Sequence, residues 1–180
     1  MENIEKSDLI ANIKAIADHG DMADLEFIAK ILHITFSNHF EYKTSMRSGA
    51  GEGFHAERCS GQPTDMGLYP LQATSIRVYG KTPSTPLQRA SLSIVIKSDY
   101  FSLTPQEVTT ILNVSPGAEH VGMVNPINSV KWDLGEMFPD HDFVLKSSYR
   151  RENNFISNMI FVQKYISYER VLKFRLETLT

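Results

Sequence analysis

The chain has a single cysteine, Cys59, among 180 residues, so no internal disulfide can form and nothing in its cysteine usage points to an oxidising compartment. No apolar run approaches the roughly 18 residues that would span a bilayer. The opening residues, MENIEKSD, lack the basic region, apolar stretch and small-residue cleavage site of a secretory signal. A soluble, cytoplasmic protein with no membrane partner is the expectation. A basic surplus is missing too: 18 Lys and Arg stand against 21 Asp and Glu, a net charge of -3. General nucleic-acid binders neutralise phosphates with a clear cationic excess, so nucleic acid is not expected as a partner.

Catalytic signatures are equally scarce. No G-x-S-x-G, H-E-x-x-H or kinase motif occurs. GAGEG at 49–53 has neither the G-x-G-x-x-G spacing nor a GK[ST] ending, and no strand-to-helix junction surrounds it to hold phosphate, so it reads as flexible loop. The histidines, at 19, 33, 39, 55, 120 and 141, are scattered, and no close C-x-x-C or H-x-x-x-H pair offers a zinc site. Only a site assembled from distant residues would remain. Asp140, His141 and Asp142 in MFPDHDF are of metal-binding type, but they follow Met-Phe-Pro between two strands, where a turn favours such residues. No catalytic residue, metal or cofactor is assigned from the sequence.

What is present is a well-patterned fold. Leu9, Ile10, Ile13, Ile16 and Ala17 recur at helical spacing after Ser7, a candidate cap, and Gly20 suits a left-handed stop. Asp21 is the candidate cap of a second helix, whose apolar residues Met22 to Leu32 cover enough of its circumference to pack on two sides. From Thr35 the period becomes two, with Phe36, Phe40 and Tyr42 on one face and His39, Glu41 and Lys43 on the other. Strands are expected at 74–80, with Ile76 and Val78 inward, and at 90–97, with Leu92, Ile94 and Ile96 inward. LTPQEVTTILN carries a capping box on Thr104 and Glu107, with Pro105 at the first helical position. Val130, Trp132 and Leu134, then Phe143, Leu145 and Tyr149, alternate as strands; RRENN at 150–154 is a turn. Phe155 to Tyr165 is apolar on both faces and is expected to be central and covered on both sides. Leu172, Phe174 and Leu176 suggest a last strand. This order predicts one α+β domain over residues 1–180, an N-terminal helix pair and one further helix packed on a largely antiparallel sheet. A boundary near residue 88 would leave two thin cores.

Residues 45–72 contain five glycines and two prolines and read as the long loop of the chain, with at most a short strand at Phe54 to Cys59. Within it, GEGFHAERCSGQ concentrates reactive residue types. His55 and Cys59 would suit a cysteine- or metal-dependent hydrolase, but on a strand they stand roughly 13 Å apart at about 3.3 Å per residue, too far for proton transfer. The segment reads better as a contact surface. Charge is also uneven: residues 1–46 carry eight acids against four bases, and residues 141–180 seven bases against four acids. Either solvated faces or an acidic surface for a basic partner would explain it.

The stretch RASLSIVIKSDYFSLTPQEVTTILNVSP, residues 89–116, resembles the strand, Asp-containing link and T-P-x-E helix of bacterial immunity proteins of type VI secretion and polymorphic toxin systems. That resemblance implies a non-enzymatic inhibitor that neutralises a cognate cytosolic toxin by occluding its active site. Interface energy concentrates in aromatic and arginine anchors. Glu52, Phe54, Glu57, Arg58 and Tyr69 are therefore the expected partner contacts, with Tyr100 and Phe101 as further aromatics outside regular elements. The alternatives are the His55/Cys59 hydrolase and a structural domain that self-associates into a homo-oligomer.

Overall fold

Three helices and eight strands make up the computed structural model, which describes residues 6–44, 54–64, 72–80, 84–96, 101–117, 120–121, 127–135 and 141–165. Helix α1 (Lys6–His19) buries Leu9, Ile13, Ile16 and Ala17 along one stripe. Gly20 ends it with a φ of 68°, a left-handed conformation that costs glycine little. Ser7 lies inside the first turn, not before it. Helix α2 (Leu25–Leu32) is capped by Asp24, whose carboxylate accepts from Phe27 N–H at 3.0 Å. Asp21 instead accepts from Ala23 N–H and tightens the turn between the helices. His33 closes α2 in the left-handed region, its backbone N–H on the Ala29 and Lys30 carbonyls.

Helix α3 (Pro105–Leu112) has the expected capping box. Glu107 N–H donates to Thr104 Oγ1, and Thr104 N–H donates to the Glu107 carboxylate at 2.9 Å. Lys6 reaches the same carboxylate at 2.6 Å, tying α1 to α3. Burial opposes ionisation of Glu107, but the hydrogen bonds from Lys6 and Thr104 outweigh it and hold the carboxyl below its ordinary range.

Strands β1 (Ile34–Thr44), β2 (Phe54–Pro63), β3 (Gln72–Val78) and β4 (Arg89–Val95) form one meander. Strands β5 (His120–Val121), β6 (Ile127–Asp133), β7 (His141–Arg150) and β8 (Ile156–Tyr165) form another. Pairing of β4 with β8 joins them in the order β1-β2-β3-β4-β8-β7-β6-β5, and all seven pairings among the described residues are antiparallel. The molecule is therefore α+β, with a sheet that is continuous across position 88. None of the helices among the described residues is long and apolar enough to cross a membrane.

The helices cover one face. Leu92 and Ile94, Met159 and Phe161, Phe143 and Leu145, and Trp132 share that face by register and are fully buried in one core with the three helices. Each such side chain contributes about 1.5–3 kcal/mol on leaving water. Trp132 Nε1 donates to Thr109 Oγ1 of α3 at 3.0 Å. Gln163, fully buried, binds the α1–α2 turn to β8: its amide nitrogen donates to the Gly20 carbonyl, and its oxygen accepts from Met22 N–H at 2.9 Å and from the Tyr165 hydroxyl at 2.8 Å.

Besides the two helix caps, three expectations about the sheet change. β8 is central, but among the described residues no helix covers its second face; Val162 is buried there because Val144 and the stems of Arg89, Lys146 and Lys164 surround it. Ile76 and Val78 pair with Ser91 and Arg89 on that outward face, while Ala73, Ser75 and Arg77 take the helix-side positions. In β1 a bulge between Ser37 and Phe40 reverses the alternation, so Phe36 points inward and Phe40 and Tyr42 outward. The strand expected at Leu172 to Leu176 lies outside the described residues.

Candidate functional site on the two faces of β2

Residues 54–63 form a ten-residue strand, where glycines and small polar residues suggested mostly loop. Hydrogen bonding to β1 on one side and β3 on the other imposes the extended form that local propensity does not. Gly61 is required by close packing: a Cβ there would stand 2.6 Å from Ile34 Cδ1 and 3.2 Å from Ala73 Cβ.

Alternation along β2 divides the expected contacts between two faces. His55, Glu57 and Cys59 point to the helix side, and Phe54, Ala56 and Arg58 point outward. Glu52, Tyr69 and Tyr100 lie outside the described residues. Phe101 is 6% exposed and belongs to the core.

The inward face is polar at this end of the sheet, beyond the helices' apolar contacts. Glu57 accepts from Arg77 at 2.8 Å and from the Tyr79 hydroxyl at 3.2 Å, both on its Oε2. The His55 ring lies 5.8 Å from that of Tyr79, and its Nε2 is 3.9 Å from Glu41 Oε2. The β1 bulge sets Asn38 and His39 against Cys59 alone, which brings His39 Nδ1 to 3.0 Å from Cys59 Sγ. The thiol's imidazole neighbour is thus His39, while His55 sits four residues along the strand.

This pair lacks what a nucleophile needs. Cys59 is 1% exposed. Burial pushes its thiol up, and Glu57 adds to that against the opposing pull of the Arg77 guanidinium. A sealed thiol with a raised pKa is a poor nucleophile, and here it pairs with His39 Nδ1 and packs. Burial likewise raises the Tyr79 hydroxyl. His141 and Asp142 begin β7 instead of forming a turn, with Asp142 facing Lys164 at 3.9 Å; Asp140 lies outside the described residues.

The outward face differs in kind. Phe40 is 63% exposed, stacks on Tyr42 with ring centres 6.0 Å apart, and stands opposite Arg58 in the register. Ala56 and Val78, both buried, and the half-buried Ile76 lie on the same face of β2 and β3 beside it. Farther along this face a cleft of about 250 Å³ is lined by Arg89, Lys131, Lys146 and Lys164 against Asp133 and Asp142. Three acids of the N-terminal third are engaged: Asp18 with Lys14 at 2.6 Å, Asp24 with His19 at 3.0 Å, and Asp21 with the Tyr165 hydroxyl at 2.8 Å.

Comparison with protein-family models, with curated proteins and with solved structures finds no match for this chain. Sequence reasoning missed His39, Glu41, Arg77, Tyr79 and Phe40 as members of the site. The alternation of His39 and Glu41 was legible, but their neighbours across the strands depend on a bulge and a register that no local pattern reveals.

Proposed function

We propose that this chain is a non-enzymatic binding protein of the immunity or inhibitor kind, which neutralises a cognate bacterial toxin by covering the toxin's active site. The observation that carries this reading is the exposed Phe40, backed by Tyr42 and facing Arg58 on a strand pair. Aromatic and arginine side chains are the types in which interface energy concentrates. Held on a paired sheet, they lose less freedom on docking than the same residues on a loop. Two of the contacts expected from sequence, Phe54 and Arg58, share this face.

The basic excess along the same face fits a partner that presents an apolar socket bordered by carboxylates. Such a toxin would be delivered by type VI or contact-dependent secretion and act in the cytosol, which would place this chain in the cytoplasm. The buried, protonated thiol supports binding over hydrolysis.

Co-expression with the toxin encoded by the neighbouring gene tests the reading. Growth is restored by the native chain and not by Phe40→Ala/Arg58→Glu, whose urea midpoint stays close to the native one because both side chains are exposed. A harmless neighbouring gene product, or full protection by the double variant, would sink it. Native mass measured across concentrations separates the self-association reading: a dimer lost in Phe40→Ala would assign the patch to a second copy.

A further inference from the structure

Glu41 of β1 and Glu57 of β2 are cross-strand partners, and His55 lies two residues from Glu57 on the same face. One ligand-type atom from each of the three lies within 4.8 Å of the other two. Independently of that clustering, His55 is only 9% exposed and its Nε2 is sealed from solvent with no hydrogen-bond partner among the described residues. An unpaired buried ring nitrogen carries a cost of about 1–3 kcal/mol unless something occupies its lone pair. Nε2 is aimed at Glu41 Oε2, 3.9 Å away. Two ligands on a tetrahedral zinc ion with 2.0–2.1 Å bonds stand about 3.4 Å apart. Glu41, with 68% of its side chain exposed, has room to close the difference.

We propose that Glu41, His55 and Glu57 form a site for one divalent first-row transition-metal ion of the zinc class. The donor set decides the class: an imidazole with two carboxylates suits zinc, whereas magnesium and calcium take oxygen ligands throughout. Arg77 and Tyr79 act as outer-shell partners. Both bind Oε2 of Glu57, which fixes that carboxylate and leaves Oε1 to face the ion. With neutral His55, the two carboxylates and Arg77 sum to one negative charge, so a dication is favoured. Three protein ligands and an open side at Glu41 leave a coordination position for water, the pattern of a zinc site that is not closed. The site is on the face opposite Phe40 and Arg58 and does not depend on what docks there.

Titration calorimetry of the full chain, stripped of metal and then given Zn²⁺, tests this, with Co²⁺ absorption as the second readout. One ion per chain is expected. Glu41→Gln, an exposed substitution that spares the core, should weaken binding by more than the roughly 10–100-fold typical of losing an outer-shell partner. His55→Gln should weaken it as well, and if that variant does not fold, Glu41→Gln decides alone. Cys59→Ser should bind as the native chain does, and the cobalt-loaded protein should show visible bands without a thiolate charge-transfer band. Absence of saturable binding, unchanged affinity in Glu41→Gln, or a thiolate band lost in Cys59→Ser would each overturn the assignment, the last by moving the metal to Cys59 and His39.

Discussion

Replacing Gln163 by leucine isolates the polar link between the helices and the sheet. The side chain is fully buried, and leucine is close to it in volume, so little cavity forms. What the change removes is specific: the Gly20 carbonyl and the Met22 N–H lose their partner, while the Tyr165 hydroxyl keeps Asp21. A buried backbone group left unpaired costs about 1–3 kcal/mol, so two of them give about 2–6 kcal/mol. Domains of this size hold about 5–15 kcal/mol in all, so the loss is a large share of the total. Urea denaturation should show a lower midpoint at unchanged slope. Amide exchange should show the Met22 N–H losing protection ahead of the β4 and β8 core. A midpoint shift worth less than 1 kcal/mol, or a Met22 amide as protected as before, would refute the claim that this amide holds the α1–α2 turn.

Other outcomes follow from the same geometry. Glu107 has a depressed folded-state pKa, so its contribution should be complete above the unfolded carboxyl value near 4.3 and fade as pH falls through the lower folded value. Glu107→Gln should flatten that part of the stability profile, which acid titration of both proteins by circular dichroism would reveal. Thr104→Ala should cost about 1 kcal/mol by thermal melting, the ordinary loss of an N-cap. Cys59 should react with a thiol reagent at neutral pH far more slowly than a free thiol and at normal rate in denaturant; rapid native labelling would contradict its sealed, protonated state. Gly61→Ala should destabilise by about 1–3 kcal/mol through overpacking, and Ile34→Val, which removes the Cδ1 it strikes, should recover part of that in a double-mutant cycle.

Legibility followed the range of the interactions involved. The Thr104 capping box and the Trp132 and Phe143 alternations are local and were readable as written, because each involves neighbours three residues apart or an apolar face under helices. Ile76 and Val78 misled because β-branched residues are assumed to point at the core. Among the described residues the helices cover one face only, and on the other Val78 lies beside Ala56 and Arg89, and Ile76 beside Arg58 and Ser91. Composition suggests no more than a short strand at Phe54 to Cys59 within a loop, because register partners on both sides make the full ten-residue β2. The His39–Cys59 contact needs a bulge, and the Glu41, His55 and Glu57 cluster needs the β1–β2 register. Spacing along the chain separated His55 from Cys59 correctly and was silent about what lies across the strand.

Under the proposed function, the outward face of β1 and β2 receives a partner protein. Hydroxyl-radical footprinting of the chain alone and mixed with the toxin encoded beside it addresses this most directly, since Phe40 and Tyr42 oxidise readily when open to water. Loss of labelling at Phe40, Tyr42 and Phe54 on mixing, with α1 and α2 labelled as before, is the expected result. Undiminished labelling of Phe40 in a saturated complex would contradict it.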